Sequence, residues 1–223
     1  MTSVLTAVTA LAALAIGVTT LPHSGPNCRG DCVEYPYTGG AEFVPRDFWW
    51  QYPAILVPLL AVVLMMGLAR RPSEHAALAA RVATTLATIA AGVLVTDYAI
   101  QLTVVQPSLL KGETEGLGLW SQFNPHGVFI ALENVGYLLL ALAFLAIGVA
   151  MAAHSRPERV ARIAFIAGGT ATPLALIGYA AAYRADLNDH FEVASIAVDW
   201  LVLIVAGTLL AVATRPPRRG RRS

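Results

Sequence analysis

The chain has 223 residues, of which 57% are hydrophobic and 13% are charged, with a formal net charge of +1. This composition is too apolar for an ordinary soluble domain and predicts a membrane protein. A helix needs about 20 apolar residues to cross roughly 30 Å of hydrocarbon. Six such runs occur, so the sequence predicts an all-α, polytopic transmembrane helix bundle. The predicted spans are residues 3–21, 52–69, 82–105, 128–153, 163–183 and 193–214.

The first run, within residues 1–21, has two interpretations. Its segment LTAVTALAALAIGV has the length of the apolar part of a signal peptide. However, it contains no Lys or Arg, and no convincing A-x-A cleavage site precedes Pro22, which favours a retained span. Cleavage would leave five spans.

Residues 22–51 form the longest loop, which is rich in Pro and Gly. The loop holds the two cysteines of the chain, Cys28 and Cys32. On the outer side of a membrane they are expected to form a disulfide, since two thiols are too few for a closed zinc site. The aromatic residues Trp49, Trp50 and Tyr52 are expected to anchor the second span at the lipid headgroups.

Three carboxylates interrupt the later spans: Asp97 in the third, Glu133 in the fourth and Asp199 in the sixth. A charge at mid-bilayer costs at least about 2.5 kcal/mol, so each side chain should face protein or water. All three lie about 8–12 Å from the outer end of their span. We therefore predict an outward-facing polar cavity between spans three, four and six. Its expected ligand-binding or proton-coupling residues are Asp97, Gln101, Glu133, Asn134, Tyr137 and Asp199, and its expected rim is Asn124, His126, Asp189, His190 and Glu192.

An alternative interpretation is that the carboxyl groups are protonated and only join helices through hydrogen bonds. In span five, Gly168, Gly169 and Pro173 fall near mid-membrane. Proline removes a backbone hydrogen bond, so we expect a kink or local break there. Close helix packing is the alternative role of the glycines.

The basic residues predict the orientation of the bundle. Eleven of the fifteen Lys and Arg residues lie between spans two and three, between spans four and five, or in the tail at 215–223. Since Lys and Arg are retained in the cytoplasm, both termini are expected to be cytoplasmic in a cell-membrane protein. We expect the tail to contact anionic lipid of the bilayer and not nucleic acid.

No cofactor is predicted. All five histidines lie in loops or at span ends, which disfavours haem ligation in the membrane core. A P-loop, H-E-x-x-H and G-x-S-x-G are absent from the sequence, and the spacing of its acidic and histidine residues matches no standard metal site.

Two segments, YPYTGGAEFVPRDFWWQYPAILVPLL and DYAIQLTVVQPSLLKGETEGLGLWSQFNPHGVFIALENVGYLL, resemble a group of uncharacterised small multi-pass membrane proteins of bacteria and archaea. The resemblance covers about residues 35–150. It implies a membrane protein in which the third and fourth spans are important, and it implies no function.

Three functions are compatible with the sequence. The first is binding or transport of a small polar or cationic ligand. The second is a membrane-embedded enzyme that uses the carboxyl groups as acid and base on a lipid or isoprenoid. The third is an accessory subunit whose polar residues bind a partner helix. The sequence favours the first, and it does not determine the oligomeric state.

Overall fold

A computed structural model describes residues 1–70, 72–73 and 76–214, with only the backbone described for Asn188 and Asp189. The basic tail at 215–223 and the predicted rim side chain of Asp189 lie outside this part. In the described residues all regular elements are helical, apart from one isolated bridge between Pro72 and Met151. Six of the helical segments are long and apolar enough to cross a membrane, which confirms the predicted bundle.

The helices follow the predicted spans closely. The first span is α1 (Thr2–Thr19), the second is α2 (Gln51–Ala54) with α3 (Leu56–Leu68), and the third contains α4 (Ala77–Ile100). After the short helix α5 (Gln106–Lys111), the last three spans are α6 (Val128–Ala150), α7 (Arg156–Tyr183) and α8 (Leu187–Ala213).

Helix α7 begins seven residues before the predicted position 163, because a capping box starts it. The Ser155 side chain accepts a hydrogen bond from the backbone N–H of Glu158, and the Glu158 carboxylate accepts one from the backbone N–H of Ser155 at 2.7 Å. These contacts satisfy N–H groups that have no partner within the helix. The first turn of α7 is therefore stable although it is charged.

The third span extends beyond its predicted end at 105. A π-helical segment, Gln101–Val105, joins α4 to α5, and Pro107 lies in the first turn of α5. Proline has no N–H for the regular helical bond, and a wider turn accommodates its ring. The helix ends at Gly112, whose positive φ of 71° suits glycine.

Helix α6 is the centre of the bundle and packs against α4, α7 and α8, while α1 packs against α8 and α3. Small residues allow these close approaches. A Cβ atom on Gly136 of α6 would lie 2.5 Å from Leu94 of α4. The buried face of α4 is mostly alanine, including Ala83, Ala87 and Ala90. Helices α4 and α6, which carry Asp97 and Glu133, are thereby held side by side.

Of the predicted kink or local break at Pro173, the break is not present, because α7 is one continuous helix through this residue. Its two glycines pack against different neighbours. A Cβ on Gly168 would lie 2.2 Å from Val202 of α8, and one on Gly169 would lie 2.4 Å from the backbone nitrogen of Leu145 on α6. Packing on both sides holds the helix together around the proline.

Residues 20–50 and 112–127 cover one end of the bundle, which we call the loop end. Cys28 and Cys32 form the predicted disulfide there. Buried apolar side chains join these segments to the π-helical and α5 region; they are Val33, Phe43, Phe48, Val105, Leu109, Leu117 and Phe123. This small core fixes the loop segments over the helix ends.

Candidate functional site

A cavity of about 320 Å³ lies at the loop end. Helices α1 and α8 form two of its sides, and loop residues close to the disulfide form another. Its wall is largely apolar and aromatic, with Leu14, Trp50, Phe129, Ile196 and Trp200. The polar side chains in the wall include His23, Asp47, Gln122 and Glu192.

Three aromatic rings of the wall pack against one another. The ring centroid of Trp50 lies 6.1 Å from that of Trp200 and 6.4 Å from that of Phe129. Trp50 thus packs against other aromatic rings of the protein, whereas Trp49 and Tyr52 are 54% and 51% exposed. We call Trp50, Phe129 and Trp200 the aromatic wall.

Loop residues at one side of the cavity form a polar cluster. His23 Nδ1 and Asp47 Oδ2 lie 2.6 Å apart, and the ring of His23 stacks on Phe43 at 3.8 Å. Arg46 Nε donates to the other Asp47 oxygen at 3.2 Å. The Asp47 carboxylate is therefore matched by two basic groups, which fixes this side of the cavity.

Glu192 connects the cavity to the membrane interior. Its half-buried side chain lines the cavity, and its carboxyl group interacts with that of Glu133 on α6. Asp97 of α4 interacts electrostatically with both Glu133 and Glu192. Carboxyl groups from α4, α6 and α8 thus form one cluster, the carboxyl cluster.

A chain of hydrogen bonds runs from this cluster back to the aromatic wall. Tyr98 donates to Glu133 Oε1 at 2.7 Å, so the 2.7 Å contact between its hydroxyl and that of Tyr137 has Tyr137 as donor. Trp200 Nε1 in turn donates to the Tyr137 hydroxyl at 3.0 Å. Every donor in the chain is oriented towards the Glu133 carboxyl, and all four side chains are buried. The Trp200 indole in the cavity wall is therefore linked to the Glu133 carboxyl through the hydroxyls of Tyr137 and Tyr98.

Asp199 lies at the interface of α7 and α8, and it also interacts electrostatically with Tyr137. Its Oδ1 atom accepts a hydrogen bond from Thr172 at 3.2 Å, and the side chain is fully buried. It lies two helical turns, about 10.5 Å along the axis, beyond Glu192. The structure thus brings Asp97 and Glu133 together, but with Glu192 as their third partner.

None of the three predicted intramembrane carboxylates lines the described cavity, and neither do Gln101, Asn134 and Tyr137. Gln101 instead binds the loop: its Nε2 donates to the Trp120 carbonyl at 2.6 Å, and its Oε1 accepts from the Gln122 N–H at 3.2 Å. Asn134 is half-buried on α6. Of the six predicted core residues, Glu133 and Asp97 are linked to the cavity by their interactions with Glu192. Tyr137 is linked to it by its hydrogen bond with Trp200.

Of the predicted rim residues whose side chains the structure describes, Glu192 lines the cavity and the others do not. Asn124 donates to the Gly118 carbonyl at 2.9 Å and accepts from the His126 N–H at 3.0 Å, so it stabilises its own loop. His126 Nε2 lies 3.3 Å from the Ala185 carbonyl. His190 of α8 stacks on Tyr183 of α7 at 3.7 Å.

Sequence reasoning missed His23, Asp47, Gln122 and the aromatic wall as cavity residues. His23 and Asp47 are 24 positions apart in an irregular loop, where no periodicity relates them. Trp50 lies in an aromatic cluster at the start of a span, a position typical of residues that anchor a helix at the lipid headgroups. Only the fold of residues 20–50 over the bundle brings these side chains to one place.

The chain matches no protein-family model, no curated protein and no solved structure. Among the described residues, no group of three or more His, Cys, Asp or Glu side chains is arranged to hold a metal ion. The function must therefore be inferred from the cavity and the carboxyl cluster.

Proposed function

We propose that the protein binds a small molecule in the cavity at the loop end and couples binding to proton exchange in the carboxyl cluster, as a transporter or a ligand-sensing membrane protein does. The main support for this proposal is that Glu192 belongs to both the cavity wall and the carboxyl cluster. Its side chain lines the cavity, and its carboxyl group interacts with that of Glu133 in the carboxyl cluster.

The cavity has the properties of a ligand site. Its volume of about 320 Å³ is at the small end of the range for small-molecule pockets, roughly 300–1,000 Å³. A mostly apolar wall with a few convergent polar groups is also typical of such sites. The expected ligand is therefore a compact molecule with an apolar body and one polar or charged end.

Proton coupling follows from the chemistry of the cluster. Interacting carboxyl groups share protons, so a change at one of them redistributes protons over all. A ligand that contacts Glu192 changes the electrostatic environment of that carboxyl, and hence the number of protons held by Glu192, Glu133 and Asp97 together. Binding is therefore expected to release or take up protons.

A second candidate, acid–base catalysis on a lipid or isoprenoid, is favoured by one observation. Three side chains that line the cavity, Val18, Leu21 and Val193, are also 74%, 70% and 59% exposed on the outside of the bundle. The cavity wall thus continues to the surface beside Glu192, where a lipid tail could enter. Incubation of the purified protein with bilayer lipids, followed by mass spectrometry, would detect a product if this candidate holds.

The proposed function is tested by calorimetry on protein in lipid nanodiscs, with cationic, neutral and anionic small aromatic probes. Ala197 lines the cavity, so Ala197→Phe should fill it and abolish binding. Ala171 is exposed on α7, so Ala171→Phe adds the same ring outside the cavity and should leave binding unchanged. Titrations in buffers of different ionisation enthalpy give the number of protons exchanged, and this number should fall in Glu133→Gln.

Binding that persists in Ala197→Phe would overturn the site, and binding without proton exchange would overturn the coupling. Transport is tested separately in proteoliposomes, where an imposed pH gradient should drive accumulation of a bound probe. Accumulation that is equal with and without the gradient would leave a binding function and contradict proton-coupled transport.

A further inference from the structure

We infer that the ligand of this cavity is an organic monocation with an apolar or aromatic body, whose cationic group lies between Glu192 and the aromatic wall. This inference rests on the proposed function and specifies its ligand. It is carried by the charges of the cavity wall and by the position of the aromatic rings.

The charges of the wall favour a cation. Within the part of the chain that the structure describes, the acidic side chains of the wall are Glu192 and Asp47, and the basic one is His23. His23 is paired with Asp47, which also accepts from Arg46 outside the wall. Both basic groups are thus directed to Asp47, on the loop side, and the second acidic group lies on α8.

The interactions of Glu192 are compatible with this preference. Glu133 and Asp97, which interact with Glu192 in the carboxyl cluster, are acidic and would not repel a cation. An ionised Glu192 carboxylate at the cavity end of the cluster would attract a cation and repel an anion.

The aromatic wall supplies the second half of the site. The faces of Trp and Phe rings attract cations within about 6 Å of the ring centroid. Trp50 and Trp200, whose ring centroids are 6.1 Å apart, provide two indole rings beside one space, and the hydrogen bond from Trp200 to Tyr137 fixes the orientation of one of them. Leu14 and Ile196 complete an apolar surface for the body of the ligand.

An inorganic ion is a poorer fit to this wall. A metal cation retains its hydration or requires several oxygen ligands, and carbon atoms of Leu14, Ile196 and the aromatic rings offer none. An organic ammonium group has a weakly hydrated surface that suits both the aromatic faces and a single carboxylate. The wall therefore selects an organic cation over a metal ion.

The experiment compares three probes of matched shape by calorimetry in nanodiscs: benzyltrimethylammonium, its neutral carbon isostere neopentylbenzene, and phenylmethanesulfonate. The signal of Ala197→Phe is subtracted so that partitioning into lipid does not count as binding. Wild-type protein should bind the cation at least about tenfold more tightly than either other probe.

Two pairs of variants locate the preference. Glu192→Gln should reduce affinity for the cation by about tenfold, and Trp50→Leu should reduce it by about threefold to tenfold. Glu192→Asp keeps the charge and should retain the preference, which separates loss of charge from loss of folding. The controls Asp186→Asn and Trp49→Leu change exposed residues outside the cavity and should leave all affinities unchanged.

The outcomes distinguish the two proposals. If neopentylbenzene or phenylmethanesulfonate binds as tightly as the cation, and Ala197→Phe abolishes that binding, the cavity is a ligand site but the inferred ligand class is wrong. If the cation preference survives Glu192→Gln in a normally folded protein, the placement of the cation is wrong. If no probe shows binding that Ala197→Phe abolishes, both the ligand class and the proposed function are contradicted.

Discussion

Buried hydrogen-bonding groups within the membrane part of the bundle are stabilised by partners on other helices. Tyr137 has two such interactions: it accepts a hydrogen bond from Trp200 of α8 and donates one to Tyr98 of α4. Since no water solvates a group in the hydrocarbon region, loss of one partner leaves the other unsatisfied. Tyr137 is thus the residue of α6 whose hydroxyl group links this helix to α4 and α8.

Tyr137→Phe tests this role. The variant removes the acceptor of the Trp200 N–H and a partner of Tyr98, and it should lower the free energy of unfolding by about 1–3 kcal/mol. The measurement is reversible unfolding in mixed micelles with increasing SDS. Tyr183→Phe removes a hydroxyl from a ring that is 40% exposed and should change stability by less than about 0.5 kcal/mol. Equal stability of the two variants would show that the hydroxyl chain contributes nothing.

At the scale of the elements, close packing determines which helices meet. Gly169 illustrates this effect, because an added Cβ would meet the backbone of α6 on atoms that cannot rotate away, 2.4 Å from Leu145 N and 2.7 Å from Ala141 O. Gly178 lies on the same helix with no atom within 4 Å of an added Cβ. The two glycines therefore have different roles despite their identical chemistry.

Gly169→Ala should separate α6 from α7 and destabilise the protein by about 1–3 kcal/mol, as overpacking does. Gly178→Ala should be neutral or slightly stabilising, because alanine favours the helix and meets no neighbour. Thermal unfolding of the two variants in the same detergent gives the comparison. If the Gly169→Ala protein unfolds at the wild-type temperature, α6 and α7 can move apart without loss of stability.

The same elements show what a sequence can predict. Hydropathy identifies all six spans, because the thickness of the hydrocarbon fixes their length and apolar character. It does not give the π-helical segment Gln101–Val105, which accommodates Pro107, or the continuity of α7 through Pro173, where the helix packs against its neighbours. Helix ends, caps and breaks are therefore less predictable than the spans themselves.

For the whole molecule, the candidate site depends on how the spans are arranged around α6. Asp97, Glu133 and Asp199 occupy similar depths in their own spans, yet Asp199 is directed to Thr172 and its place in the carboxyl cluster is taken by Glu192. The depth of a residue along its helix can be read from the sequence. Which neighbouring helix that residue faces is decided by tertiary packing. The sequence therefore indicates which carboxylates lie within the spans, whereas the neighbours of each carboxylate depend on tertiary packing.

The orientation of the bundle in the membrane is the remaining property of the whole molecule, and it decides whether the cavity opens to the outside. The excess of Lys and Arg between spans two and three, between spans four and five, and in the tail predicts that these segments are cytoplasmic. Reporter fusions after Arg71, Arg156 and Arg215 should then report a cytoplasmic location, and fusions after Cys32 and Lys111 an external one. External fusions also place the disulfide in a non-reducing compartment, where it persists. Reversed results at two or more of these sites would mean that the loop end faces the cytoplasm, so that the cavity receives its ligand from within the cell.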